Sequence, residues 1–179
     1  MSPRLEALLG MFVGARVFDL EQPRRSGDPV HPPHWPGFHF QLTRHHEPGP
    51  EPRSTASGFV YQAEHSGTHI DAFSHQAEGM KMLGGIAVDA EVQTFSGLTR
   101  LGVETIPPIF RRGVLLDVAR AAGAPLQPGQ LIGADELANA TEAASVSPRP
   151  GDVILVRLGW GSRWQKTVDY LNAPGMDRG

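Results

Sequence analysis

The sequence contains no cysteine, which excludes disulfides, thiolate metal sites and a cysteine nucleophile, and which fits a reducing cytoplasm. Any metal ligands must therefore be histidine, carboxylate or water. No apolar run approaches the roughly 20 residues that span a bilayer, so a membrane is not an expected partner. The opening residues 1–14 carry Leu5, Leu8, Leu9 and Phe12 at helical spacing, with Glu6 among them and no cleavage site after a long apolar core, and read as a docking helix rather than a signal peptide. A basic tract is missing too. Net charge is -3, the pI is near 6.2, and the pairs Arg24-Arg25 and Arg111-Arg112 are too short to follow a phosphate backbone, so nucleic acid is excluded as a partner. There is no phosphate-cradling glycine loop followed by lysine, no nucleophile-elbow serine and no glutamate inside a helical histidine pair, which removes the commonest rival enzyme classes.

What is present fits one domain spanning residues 1–179. A chain of this size buries about 70% of its unfolded surface and needs no metal merely to fold, so a bound ion is functional. The 21 glycines and 16 prolines are spread along the chain rather than pooled in a linker, and no repeat emerges at solenoid periods.

The densest chemistry lies in His65-Ser66-Gly67-Thr68-His69-Ile70-Asp71-Ala72-Phe73-Ser74-His75, three imidazoles and a carboxylate within eleven residues. Imidazole and carboxylate suit zinc, manganese or iron. On a helix, His65 and His69 share a face but Asp71 points away. On one straight strand, His65 and His69 lie roughly 13 Å apart at about 3.3 Å per residue, too far to share an ion. A bend at Ser66-Gly67, where glycine accepts backbone angles closed to other residues, followed by a short extended piece, brings His65, His69 and Asp71 to one point. His75 then faces the site from one helical turn beyond Asp71, if Asp71 caps a helix, and suits a proton carrier.

The pattern H-x-G-T-H-x-D-x-x-x-H resembles the hallmark of the cyclase family of metal-dependent hydrolases, which includes bacterial kynurenine formamidase (arylformamidase, an enzyme of tryptophan catabolism) and isatin hydrolase. The resemblance implies that His65, His69 and Asp71 bind one or two divalent ions, zinc or manganese, with Asp71 able to bridge two. It implies that His75 gives and takes the proton. Where the family pattern has proline two residues after the aspartate, this chain has Phe73. Upstream, His34-Trp35-Pro36-Gly37 is similar to a tryptophan-proline-glycine segment of the family, which implies Trp35 as a substrate contact. The implied fold is α/β, a swivelling β/β/α domain with a mixed β-sheet and peripheral helices, assembled as a homodimer or homotetramer. Family members carry a further histidine and a glutamate in a C-terminal part, whereas no histidine follows His75 here. The expectation is a C-terminally incomplete domain.

Along the rest of the chain, Ala15 to Leu20 and Phe38 to Arg44 alternate as strands, the latter half-buried, and Gly58 to Ala63 leads as a strand into the motif. Between them the proline-rich stretch Arg24 to Pro36, with His31 and His34, is a long loop. Both a pocket rim and a solvated loop anchored by Trp35 remain open for it. His39, His45 and His46 read as solvated. Gln76 to Leu83 predicts a helical turn or two stopped by Gly84-Gly85, and Ile86 to Val92 a strand. Gly113 to Val118 and Val153 to Leu158 read as strands, the first buried on both faces, with a helix from Gly133 to Ser145 between them and a last one over Ser162 to Leu171. Asp117, at a strand end, is open to a functional or a capping role. Glu64 and Glu78 flank the motif as possible partners orienting an imidazole, or as plain surface charges.

A divalent ion lowers the pKa of bound water from about 15.7 toward 7 and polarises a carbonyl, while His75 moves the proton. The expected function is hydrolysis of a non-peptide amide, an aryl formamide such as N-formylkynurenine or a cyclic amide such as isatin, with a small-molecule amide as partner. A non-catalytic metal-binding or assembly subunit is the alternative, because the C-terminal ligands are absent. Histidines packed without metal in a β-rich core are the third reading.

Overall fold

The computed structural model describes residues 2–177. Helix α1 (Pro3–Gly10) starts where the Ser2 hydroxyl accepts the Leu5 N–H, with Pro3 preset for the first turn. A helix is thus present within the stretch expected to form one, though shorter, and its Leu5, Leu8 and Leu9 are exposed. Residues 15–20, expected as a strand, run without strand pairing because no neighbouring edge accepts their backbone.

Strands β1 (His39–Arg44) and β2 (Ser57–Tyr61) form an antiparallel hairpin with Phe40 opposite Val60. Both are where the alternation puts them, but neither is half-buried: every residue in the pair is exposed. The hairpin shows an apolar face of Phe40, Leu42 and Val60 that nothing in the described chain covers.

The helix expected over Gln76 to Leu83 is instead the small hairpin of β3 (Lys81–Met82) and β4 (Ile86–Ala87). Gly84 and Gly85 have φ of 75° and 77°, angles that favour glycine and turn the chain between the two strands. The β4 strand covers only the first two residues of the stretch expected to reach Val92. A second hairpin follows, β5 (Gln93–Thr94) with β6 (Gly97–Leu98), then a 3-10 turn at Val103–Thr105.

The buried core lies in the C-terminal half. Strands β7 (Gly113–Leu116) and β9 (Val153–Val156) run parallel, linked through α2 (Val118–Ala121), β8 (Leu131–Ile132) and α3 (Ala134–Ala143). Val114, Leu116, Val118, Leu126, Ile132 and Ala140 pack together, with Leu137, Val146, Val156 and Leu158 against them. The β7 strand alternates, Val114 and Leu116 inward and Leu115 outward, so it is buried on one face rather than two. Its continuous apolar run hides this period. Asp117 takes the capping role, accepting the Arg120 N–H and pairing with Arg157 at 2.8 Å. Helix α3 opens with the Glu136 carboxylate accepting the Gly133 N–H at 2.9 Å, as the acidic first turn predicts.

The last helix is split into a 3-10 turn at Trp160–Arg163 and α4 (Thr167–Leu171), after which β10 (Gly175–Met176) pairs in parallel with β8. Among the described residues every sheet has two strands, parallel and antiparallel pairs lying in separate sheets rather than in one mixed sheet. The architecture is α/β with small sheets and few helices. No described helix is long and apolar enough to cross a membrane.

Candidate metal centre

The motif follows β2 as irregular backbone, and its shape is set by a few identifiable bonds. Ser66 is buried and bridges Val30 in antiparallel fashion, fixing the loop just before the bend. Gly67 has φ of 71°, the left-handed angle that the sequence assigns to a kink here. The turn brings His65 back toward His69 and Asp71, which no single helix or strand would do.

Their donor atoms converge. His65 Nδ1 lies 2.9 Å from His69 Nε2 and 3.1 Å from Asp71 Oδ1, and His69 Nε2 lies 3.4 Å from the same oxygen. Donors each about 2.0–2.1 Å from a common ion sit about 3 to 3.4 Å apart, so the triangle has the size of one face of a zinc-like coordination sphere. The donor chemistry agrees. The Gly67 carbonyl can only accept, so His69 donates to it from Nδ1, at 2.8 Å, and leaves Nε2 as a bare lone pair. Two imidazole nitrogens and a carboxylate oxygen facing one another need a shared proton or a cation between them. These three residues fit a divalent ion, and among the described residues they form the one such group. The partner that orients His69 is thus a backbone carbonyl, and neither Glu64 nor Glu78 takes that role; Glu78 instead pairs by its backbone with Lys81.

Burial pushes the His65 imidazole below its ordinary value of 6.5; Asp71 pulls it upward, while His75, His34 and His69 add to the lowering. The neutral, ligating form is favoured. The Asp71 side chain is 48% exposed, so the triangle opens to solvent on its carboxylate side.

His75 reaches the site without a helix. Residues 72–75 make a turn closed by His75 N–H to the Ala72 carbonyl at 2.9 Å, and Ser74 N–H donates to Leu101. Asp71 therefore caps nothing, and a turn rather than a helical repeat carries His75 back until its ring centroid is 4.2 Å from that of His65. A further imidazole stands there too. The His34 ring lies 4.4 Å from His65, with His31 6.2 Å from His34. Both come from the proline-rich loop, where a 3-10 turn at Pro32–His34 folds the chain toward the motif. That loop borders the site, but nothing in its sequence spacing distinguishes His34 from His39, His45 or His46. Trp35 is next to His34 and points outward, 74% exposed, ahead of a cis bond to Pro36. Among the described residues no ring packs on it.

Comparison with known proteins accords with this geometry. The profile of the Cyclase family matches residues 18–179. A crystal structure of a novel cyclase superposes with a TM-score of 0.81 at 26% identity, over 99% of this chain and 63% of that one. Isatin hydrolase A from Ralstonia solanacearum has a TM-score of 0.67 at 22% identity, over 99% of this chain and 65% of its own. The chain thus spans under two thirds of the length of either structure. No curated protein matches it. With nine-tenths of its residues inside the family profile, the chain belongs to the cyclase family.

Proposed function

We propose that the protein is a metal-dependent hydrolase of a non-peptide amide, an aryl formamide such as N-formylkynurenine or a cyclic amide such as isatin. The observation that carries this reading is the convergence of His65 Nδ1, His69 Nε2 and Asp71 Oδ1 within 3.4 Å of one another. His65, His69 and Asp71 would hold a divalent ion, zinc or manganese. When bound, such an ion supplies Lewis acidity toward a carbonyl and acidifies water.

His75 does the proton work. Its exposed imidazole accepts a proton as water adds to the amide carbon and returns it to the nitrogen as the C–N bond breaks. The products are a carboxylate and an amine. Trp35, exposed beside His34, offers a face for the aromatic ring of such a substrate, a contact worth about 0.5–1.5 kcal/mol beyond burial. The likeness to isatin hydrolase A supports the fold of this reading and the family profile supports its chemistry. The arrangement belongs within the swivelling β/β/α design.

Assembly as a homodimer or homotetramer is part of the same proposal. It is supported by the uncovered Phe40, Leu42 and Val60 face, since an isolated two-stranded hairpin is marginal in water. Sedimentation of the full chain checks it, a monomer at micromolar concentration being the contrary result.

The decisive experiment measures metal content and then turnover of N-formylkynurenine and of isatin. Metal with turnover supports the enzyme. Metal without turnover favours the second reading, a metal-binding or assembly subunit, to which the three-donor set lends weight. Metal-free, inert protein overturns both.

A further inference from the structure

The loop that carries His69 is strapped down by a segment distant in sequence. Gln22 N–H donates to the Thr68 hydroxyl at 3.2 Å, and Arg24 Nη2 donates to the Thr68 carbonyl at 2.7 Å. Both polar ends of Thr68 are thereby held from outside the motif. The same Nη2 forms an ion pair with Glu21 Oε1 at 2.8 Å, so the guanidinium is itself held in place. The stem of Arg24 lies over Gly67: a Cβ there would sit 3.4 Å from Arg24 Cγ and 3.6 Å from its Nε. That Nε is buried and donates to no group among the described residues.

The two peptide groups flanking Thr68 do different jobs. The Gly67 carbonyl accepts His69 Nδ1–H, and the Thr68 carbonyl is pinned by Arg24. Rotation of the second peptide would turn the His69 backbone and break the first bond. The ring's single N–H is then free to leave Nδ1 and sit instead on Nε2, the atom facing His65 and Asp71.

We propose that Arg24, steadied by Glu21, is a positioning residue of the metal-binding loop, fixing through Thr68 the tautomer in which His69 presents Nε2. The inference rests on the metal-site reading above for its consequence, but its immediate effect is on the metal-free chain. Partners that orient a ligand typically alter metal affinity about 10–100-fold when removed.

The test uses the full chain with Arg24→Gln, Glu21→Gln and, as a neighbouring control, Arg25→Gln. In metal-free protein at pH 8, two-bond proton–nitrogen correlation spectra are expected to show His69 protonated at Nδ1 in the wild type and a mixture of tautomers in Arg24→Gln. Zinc affinity, measured by competition with a chromophoric chelator, is expected to fall about 10–100-fold in Arg24→Gln, less in Glu21→Gln, and to stay within about twofold in Arg25→Gln. Unfolding midpoints identify any variant that does not fold, and Glu21→Gln then carries the comparison with Arg24 itself intact. An unchanged His69 tautomer in the variants overturns the inference. Absence of zinc binding in the wild type overturns the metal site instead, and the tautomer comparison still decides the role of Arg24.

Discussion

His69 donates its Nδ1 proton to the Gly67 carbonyl two residues earlier, at 2.8 Å. The bond closes a small loop through a glycine whose φ of 71° few other residues adopt, and it commits the opposite ring nitrogen to His65 and Asp71. Local backbone geometry, imidazole tautomer and ligand chemistry are thus one linked feature.

Replacing a donor of the triangle should abolish that link at its end. Asp71→Asn and His69→Ala are expected to lose metal by more than the roughly 10–100-fold typical of removing an orienting partner. Metal stoichiometry after dialysis against chelator-treated buffer measures this, and retention at the wild-type level would count against the site.

His75→Ala separates binding from chemistry. Its ring is 4.2 Å from that of His65, and His75 is not one of the three converging donors. Metal content is expected to be unchanged while turnover of an active amide substrate falls about 10²- to 10⁴-fold. Equal loss of metal and turnover would assign His75 to the ligand set.

Gly67→Ala tests the kink. Its Cβ meets the Arg24 stem at ordinary contact distance, so space is available and the cost is conformational. A left-handed alanine costs about 1–2 kcal/mol, which urea unfolding of the metal-free protein should register, together with weaker metal binding. A variant as stable as wild type would mean that the loop reaches its shape by another backbone path.

The core makes a contrasting prediction. Ile132 is fully buried and its neighbour Leu131 is exposed. Ile132→Ala should cost about 2–5 kcal/mol and Leu131→Ala within about 0.5 kcal/mol, both by chemical denaturation.

Acid stability should report Asp152. Arg112 donates to it from Nε and Nη2 at 3.0 and 2.7 Å, and the Arg149 N–H donates at 2.8 Å, so its carboxyl is held at about 2 against an ordinary 3.8. A lowered folded-state pKa stabilises the fold above 3.8, and the contribution is lost as pH falls from there through about 2. The stability difference between wild type and Asp152→Asn is expected to be full at pH 5 and to vanish near pH 2. A pH-independent difference would point to packing at the 8% exposed side chain rather than to charge.

The sequence by itself determined the residue types at the site, the need for a bend at Gly67, and the strands and helix around the C-terminal core. These depend on short-range facts: glycine's freedom, alternation of apolar side chains, and acidic residues at a helix start. Only the tertiary structure decided that His34 joins His65, that a turn rather than a helix delivers His75, and that Arg24 grips Thr68. Such contacts link residues up to 44 apart in the chain, as Arg24 and Thr68 are, and leave no period in the sequence. The short hairpins were hidden for a related reason, because a two-residue strand is defined by its partner and not by its own pattern. The exposed β1–β2 hairpin shows the converse: alternation correctly marked an apolar face, but burial depends on what lies opposite, and among the described residues nothing does.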